Sequence, residues 1–275
     1  MRLRCSIPTF GFVSLAAALL AIGSCEGRAD EGKTYNIVFM GDSITQGAQV
    51  SSPELIPPVV CLWALKANMP GANFSMVKLG FDAHTTANFL PTPTGEFAWT
   101  ENSARKLSAA HPGGQLIFSI MLGAHDSALS GPKGTPISAD VYQTSLKAIV
   151  GQLLKDFPNS LVFVHHPIWH SNNIKIATYN YGPNSIDQLK SYLPAVDAVV
   201  TETAKEYPKH VFLGDTAGFD YFAAHYKDEL IPMGGGYLQV NDKGAATLGK
   251  LWADTMEKGL AKAPYIPEKS PAPAK

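Results

Sequence analysis

Five short, almost continuously apolar runs constrain the fold of this chain more than any other feature of its sequence. They are separated by longer segments, several of them with helical periodicity, and they cover Tyr35–Met40, Asn73–Leu79, Gln115–Leu122, Ser160–His165 and His210–Leu213. Runs without polar alternation are typical of strands that are buried on both faces. Their alternation with helices predicts a three-layer α/β/α sandwich around a parallel sheet of about five strands.

Three helices can be placed from periodicity and capping residues. The first begins at Ser138, the second runs from about Asn184 to Tyr207 with an expected interruption at Pro194, and the third runs from about Asn241 to Lys258. The long aromatic segment 167–184 between strand and helix is a candidate functional loop. The glycine-rich segment 233–237 is interpreted as a flexible linker, because it lacks the lysine spacing of a phosphate loop and follows no predicted strand.

The N-terminal residues 1–29 have the pattern of a signal peptide. Arg2 and Arg4 precede an apolar stretch, Phe10–Ile22, of 13 residues, which is too short to span a bilayer. Small residues follow, and the sequence ending at Cys25 resembles a bacterial lipobox, so that Cys25 could carry a lipid anchor. Cleavage after Ala29 and a retained hydrophobic anchor are the alternatives. We therefore expect an exported protein, periplasmic or extracellular, that contacts a membrane only through such an anchor.

One domain, residues 30–262, accounts for the remainder except for a tail rich in proline, alanine and lysine at residues 263–275, which we expect to be disordered. The chain has 275 residues, 45% of them hydrophobic, which is enough for one large core. A formal net charge of -1 without a basic run argues against nucleic acid as a partner. Cys61 is the one cysteine beyond residue 29, so the domain can form no internal disulfide, and its apolar neighbours predict a core position.

The first apolar run ends abruptly at Gly41-Asp42-Ser43. Ligands of open α/β sheets bind at the carboxyl ends of the strands. A helix that begins there also directs free N–H groups at an anion. Ser43 is therefore placed where a nucleophile and an oxyanion could meet.

The segment Gly41–Gly47, Gly-Asp-Ser-Ile-Thr-Gln-Gly, resembles the opening motif of the GDSL, or SGNH, hydrolases. Three further matches follow in chain order: Gly80 after the second strand, Gly123–Asp126 after the third, and Asn241–Gly244 at the last helix. The resemblance implies the flavodoxin-like SGNH hydrolase fold and ester hydrolysis. It implies Ser43 as nucleophile, with the N–H groups of Ser43 and Gly80 in the oxyanion hole and Asp42 and Asp126 as supporting residues.

Two departures from the family pattern concern the catalytic groups. Gln239 stands at the position of the family's catalytic histidine, and Gly236 stands at that of its aspartate. A carboxamide cannot act as a base near neutral pH, and a lost general base costs roughly 10²–10⁴ in rate. His125 stands at the position of the family's asparagine, whose N–H an imidazole could replace in the oxyanion hole. We consider His125 as a relocated base the less favoured alternative.

Other histidines could supply the missing base. His165 and His166, with His170 nearby, follow the fourth strand, whose end faces the same rim as Ser43. We take His165 or His166 as the candidate base, and His84 as a weaker one. A strand-end histidine bonded to a loop carbonyl is the structural alternative. Since no predicted helix carries a His-x-x-x-His pair and no cysteine pair is present, we predict neither a metal site nor a cofactor.

Aromatic side chains of the predicted rim could stack on sugars or could simply pack the loops; they are Trp99, Trp169, Tyr179, Tyr181 and Tyr237. By resemblance to exported relatives, the expected substrate is an acetyl or short acyl ester, of a small molecule or of a carbohydrate. The alternative is a catalytically impaired pseudoenzyme that keeps the fold as a carbohydrate- or partner-binding module.

Overall fold

The computed structural model describes residues 30–267 and contains one central parallel sheet. Its five strands are β1 (Thr34–Gly41), β2 (Asn73–Gly80), β3 (Gln115–Met121), β4 (Leu161–Val164) and β5 (Val211–Leu213). They are arranged in the order β2-β1-β3-β4-β5, and every pair is parallel. The predicted number, position and direction of the strands are confirmed to within one or two residues at each end.

Helices cover both faces of this sheet. They are α1 (Ser43–Gln46), α2 (Pro57–Asn68), α3 (Glu96–Ala110), α4 (Ala139–Asp156), α5 (Ser185–Glu206), α6 (Gly218–Glu229) and α7 (Asp242–Leu260), with a short 3₁₀ helix at Pro53–Leu55. Helices α2, α6 and α7 enclose one buried apolar cluster and α3, α4 and α5 enclose the other. The three-layer α/β/α architecture predicted from the sequence is therefore confirmed. In the part of the chain described, no helix is long and apolar enough to cross a membrane.

Strand order determines where loops can form a site. From β1 the chain moves outward to β2 on one side, and then returns to β3 on the other side of β1. Such a reversal opens a crevice at the carboxyl ends of the two strands, where ligands of this architecture bind. Ser43 follows β1 and Gly123–Asp126 follow β3, so both motifs lie beside this crevice.

Helix α5 runs without interruption through Pro194, contrary to the break expected from the sequence. A proline removes one backbone hydrogen bond, but helices in proteins are stabilised mainly by packing of their apolar face. Leu189, Tyr192, Val196 and Val199 on that face are fully buried. Their burial on both sides of the proline keeps the two halves of the helix in line.

The glycine-rich segment that we interpreted as a flexible linker is the turn of a β-hairpin. Strands β6 (Leu230–Met233) and β7 (Gly236–Val240) pair antiparallel, with a two-residue turn between them. Both turn residues, Gly234 and Gly235, have positive φ, as a type I′ turn requires. This hairpin was missed because the short strand β6 overlaps the end of a helical pattern, and it carries Gln239 back to the sheet.

The described part of the predicted tail packs against the domain. The Tyr265 hydroxyl contacts the carbonyls of Thr34 and Gly113, and Ile266 N–H donates to Gln115 Oε1 over 2.6 Å. The ordered domain thus extends beyond Lys262. The predicted signal peptide and Cys25 lie outside the described residues. Cys61 is completely buried against α7.

Candidate active site

Ser43 is the first residue of α1, directly after β1. Asp42 caps this helix, and its Oδ1 accepts the Ile44 N–H over 2.9 Å. The residue before Asp42 must be glycine, because a Cβ on Gly41 would lie 2.5 Å from the Met121 carbonyl oxygen. The N–H groups of a first helical turn have no partner inside the helix. Ser43 therefore presents its own N–H beside its hydroxyl.

Gly80 ends the neighbouring strand β2, in register with Gly41. The next residue, Phe81, donates its N–H to the Gly41 carbonyl over 3.1 Å. Because successive N–H groups of a strand point to opposite sides, the Gly80 N–H points away from β1. A Cβ at this position would overlap the backbone of Gln46, so only glycine allows α1 to approach β2 this closely.

His125 is the histidine that contacts Ser43. It lies in the loop after β3, which turns at Gly123 with a φ of +134°. Its Nε2 is 2.9 Å from Ser43 Oγ, and its Nδ1 is 2.9 Å from the hydroxyl of Tyr181. Ser43, His125 and Tyr181 are all fully buried. The imidazole is thus held between the serine and a tyrosine, where a hydrolase triad would have a carboxylate.

Gln239 makes a second contact with the same serine oxygen. Its Nε2 donates to Ser43 Oγ over 2.6 Å from the middle of β7. A carboxamide N–H can only donate, so it occupies a lone pair of the serine oxygen. The Ser43 proton is then free to point at His125 Nε2. Gln239 and His125, which both depart from the family pattern, therefore contact the same atom, Ser43 Oγ.

Burial determines the charge of these groups. It lowers the pKa of His125 to about 4, although the nearby Asp82 acts in the opposite direction with its Oδ1 3.9 Å from Nε2. The imidazole is therefore neutral, and able to accept a proton, at neutral pH. Burial also raises the pKa of Asp42 to about 7 and that of Asp126 to about 6.

The two aspartates have structural contacts rather than contacts with the serine oxygen. Asp126 accepts the Thr86 N–H over 3.0 Å and the Thr86 hydroxyl over 2.5 Å, and so joins the β2–α3 loop to the loop after β3. Asp42 caps α1, as described above. Both residues fix the loops on which Ser43 and His125 stand.

Tyr179 lies against His125. Its ring meets the His125 ring edge-on at 5.0 Å between centroids, and its hydroxyl donates to Asp82 Oδ1 over 3.0 Å. The segment 171–181 that carries it is anchored by backbone hydrogen bonds, such as Leu129 N–H to Asn180 O over 2.8 Å. Ser43 has no exposed surface in this conformation.

The candidate bases His165 and His166 lie elsewhere. His165 Nε2 is 2.9 Å from Ser119 Oγ, and its Nδ1 accepts the Asp215 N–H over 2.9 Å. His166 Nε2 is 2.8 Å from Asp197 Oδ1. Both rings follow β4, which β3 separates from β1. The structure brings Gln239, His125 and Gly80 to Ser43, but neither of these two histidines.

Two further histidines and two of the predicted rim aromatics have partners other than Ser43. His170 Nε2 contacts Ser127 Oγ over 2.8 Å, and His84 Nε2 contacts Glu96 Oε1 over 2.8 Å. Trp169 and Tyr237 both pack against Tyr226. Among residues 30–267, no three histidine, cysteine or acidic side chains are grouped closely enough to hold a metal ion.

Sequence reasoning missed two functional neighbours, Tyr181 as the partner of His125 and Asp82 as the nearest carboxylate. Tyr181 was recognised only as one of several rim aromatics. Asp82 lies two residues after Gly80, and a carboxylate this close to an expected oxyanion donor was the available signal.

No known protein-family model matches the chain, and no curated protein matches it. Solved structures do share its architecture. The native aryl esterase of M. smegmatis has 17% identity and a TM-score of 0.54, covering 82% of this chain and 99% of that chain. A carbohydrate acetylesterase from Sinorhizobium meliloti has 17% identity and a TM-score of 0.52, with the same coverage of each chain. These similarities confirm the predicted α/β fold.

Proposed function

We propose that this chain is a serine ester hydrolase of the GDSL/SGNH type in which Ser43 is the nucleophile and His125 is the general base. The observation that carries the proposal is the 2.9 Å contact between Ser43 Oγ and His125 Nε2. A neutral imidazole at hydrogen-bond distance from a serine hydroxyl is the arrangement that activates such a nucleophile. His125 thereby takes the role of base instead of the oxyanion role implied by the resemblance.

In the first half of the reaction, Ser43 Oγ attacks the ester carbonyl carbon while its proton passes to His125 Nε2. The carbonyl oxygen becomes an oxyanion, for which the N–H group of Ser43 is a donor, and the family resemblance implies the N–H group of Gly80 as a second one. The protonated His125 then gives its proton to the leaving alcohol as the tetrahedral intermediate collapses to an acyl-enzyme. Water repeats the sequence: it loses a proton to His125 and releases the acid from Ser43.

Gln239 and His125 together explain why a chain without the expected histidine could still be active. The resemblance implies a carboxamide in the loop after β3 and an imidazole near the last helix. In this chain the two functional groups are exchanged, and both contact Ser43 Oγ, at 2.6 Å and 2.9 Å. We infer that His125 supplies the base and Gln239 supplies the amide donor.

The proposed substrate is an acetyl or short acyl ester of a carbohydrate. The likeness to a carbohydrate acetylesterase supports this choice, as do the aromatic and acidic side chains near the site. Because Ser43 is fully buried, an ester can reach it only when part of its surroundings moves, and we infer that Tyr179, whose ring packs on His125, is that part. Export is part of the same proposal and is supported by the signal-like pattern of residues 1–29, as is a lipid anchor at Cys25.

The proposal is tested by hydrolysis of p-nitrophenyl acetate and by labelling with a fluorophosphonate probe, which reacts with activated serines. We expect the wild type to turn over the ester and to be labelled, and Ser43→Ala to do neither. Ser119→Ala is the matched control, since Ser119 is also buried and bonded to a histidine. Equal turnover by the wild type and Ser43→Ala would exclude the serine mechanism.

A second candidate function, a binding module without catalysis, is favoured by one observation: Ser43 has no exposed surface. If the enclosure is permanent, neither turnover nor labelling will be detected in the wild type. The variant Tyr179→Ala separates the two candidates, because it removes the ring that packs on His125 and should thereby open a path for the probe to an activated Ser43. Absence of labelling in that variant as well would favour the binding module.

A further inference from the structure

Two tryptophans stand out as exposed, Trp63 at 50% and Trp99 at 54%. They lie on opposite faces of the sheet, Trp63 on α2 and Trp99 in the first turn of α3. Trp99 contacts a residue next to the proposed site, and Trp63 has no such contact in the described residues. Its ring packs against Phe81 at 6.0 Å, and Phe81 directly follows Gly80. An exposed indole is thus joined to the proposed oxyanion hole through a single residue.

Phe81, His84 and Trp99 form a continuous aromatic ledge, the name used below for these three residues. The Phe81 ring lies 5.1 Å from His84, with the two ring planes inclined at 35°. His84 is fixed on both sides: its Nδ1 faces the Asp82 carbonyl at 2.7 Å, and its Nε2 faces Glu96 Oε1 at 2.8 Å. Both partners are hydrogen-bond acceptors, and together they hold the His84 ring in one orientation.

Asp82 connects this ledge to the catalytic groups. Its side chain is 57% exposed, yet its Oδ1 lies 3.9 Å from His125 Nε2. It accepts one hydrogen bond from the Tyr179 hydroxyl. A carboxylate has about four acceptor positions, so several remain for a ligand's hydroxyl groups.

We propose that the aromatic ledge and Asp82 form a subsite for the pyranose ring of an acylated saccharide, with Trp99 as its stacking platform. This inference rests on the proposed function and specifies its substrate. A pyranose offers an apolar C–H face for the indole and hydroxyl groups for the carboxylate, which matches this combination of groups. Phosphorylated ligands are disfavoured, because Asp82 would repel them.

The first test compares two substrates. We measure kcat/KM for p-nitrophenyl acetate and for a panel of acetylated xylo-, manno- and gluco-oligosaccharides. Trp99→Ala should lower the ratio of saccharide to p-nitrophenyl acetate activity about tenfold, mainly through KM, because a lost stacking contact weakens binding by roughly that factor. Trp63→Ala, which removes the other exposed tryptophan, should leave the ratio unchanged. Equal ratios for Trp99→Ala and the wild type would overturn the proposal.

The second test does not depend on catalysis. Binding of the same oligosaccharides to Ser43→Ala is measured by titration calorimetry and compared with the double variant Ser43→Ala, Trp99→Ala. We expect about tenfold weaker binding to the double variant. Binding that is equal in both, or absent from both for every saccharide, contradicts the subsite. If the wild type fails to hydrolyse p-nitrophenyl acetate while Trp99 still governs binding, the proposed hydrolase function is wrong and the subsite stands.

Discussion

Three buried serines are hydrogen-bonded to histidines in the described residues, and two of these pairs have the same separation. Ser43 Oγ lies 2.9 Å from His125 Nε2, and Ser119 Oγ lies 2.9 Å from His165 Nε2. Burial lowers the pKa of both histidines, to about 4 for His125 and to about 3 for His165. By distance and by charge state the two pairs are nearly equivalent. We nevertheless expect only one of them to be catalytic.

The difference lies at the second nitrogen of each ring. His165 Nδ1 accepts the backbone N–H of Asp215, so the ring proton must be on Nε2 and must point at Ser119. A nitrogen that donates to the serine cannot accept its proton. His125 Nδ1 instead faces the Tyr181 hydroxyl, which can accept, so Nε2 is able to keep its lone pair toward Ser43.

The serines differ as well. Ser119 lies inside β3, paired with Phe39 of β1 and Phe163 of β4, and no substrate could approach it without separating the sheet. Ser43 lies where β1 ends and α1 begins, at the carboxyl end of the strand. A serine–histidine distance is therefore weak evidence for catalysis by itself. The partner of the second nitrogen and the backbone around the serine decide the function.

The largest expected effect is that of His125→Ala. Removing the base should reduce kcat/KM for p-nitrophenyl acetate roughly 10²–10⁴-fold. Because nucleophile and base act as a unit, adding Ser43→Ala should cause little further loss. His165→Ala is the matched control and should keep its kcat, although it leaves Ser119 without its partner. If His165→Ala loses as much activity as His125→Ala, with both proteins folded by circular dichroism, the comparison of the two pairs fails.

Gln239→Leu should reduce kcat about 10²-fold, because the donor that orients the Ser43 hydroxyl toward His125 is removed and a misplaced nucleophile can cost that factor. The variant also makes Ser43 resemble Ser119, whose oxygen accepts no carboxamide N–H in the described residues.

A sharper experiment returns the carboxamide and the imidazole to the positions implied by the family resemblance. The double variant His125→Asn, Gln239→His should be at least about tenfold more active than His125→Asn alone. No recovery would contradict the exchange of roles.

Tyr181→Phe should reduce kcat about tenfold with little change in KM, since the acceptor that holds the His125 tautomer is lost while the ring keeps its packing. The measurement that distinguishes positioning from general destabilisation is ¹⁵N NMR of the imidazole. We expect the proton on Nδ1 in the wild type and divided between both nitrogens in the variant. An unchanged tautomer and unchanged kcat would show that Tyr181 does not position the base.

The pH dependence separates a buried base from an exposed one. Only neutral His125 can accept a proton, so kcat/KM should be retained down to about pH 4 and should fall below it. An unperturbed histidine would lose activity near pH 6.5. Protonation of both buried histidines is resisted in the folded state, so their contribution to stability is complete above about pH 6.5 and is lost as the pH falls toward 4. An acidic limb near pH 6.5 in short assays would contradict the assignment of His125.

The fold could be predicted because buried parallel strands leave a direct signature in the sequence. The nucleophile and Gly80 could be placed for the same reason, since each follows such a strand. The base could not be assigned, because strand order does not appear in the sequence. His165 does follow a strand that ends on the same rim, but β4 lies two strands from β1, about 10 Å away. Tyr181 and Gln239 arrive from a long loop and a hairpin, whose paths depend on tertiary contacts.

The smallest expected effect on activity is that of Ser119→Ala, the counterpart of the substitution that should inactivate Ser43. We expect kcat/KM to stay within about twofold of the wild type. The His165 Nε2–H would lose its acceptor in the protein interior, which costs about 1–3 kcal/mol of unfolding free energy. Urea unfolding followed by circular dichroism measures this loss. A variant of unchanged stability but reduced kcat would mean that Ser119 and His165 take part in the reaction, and that the second pair is more than a structural contact.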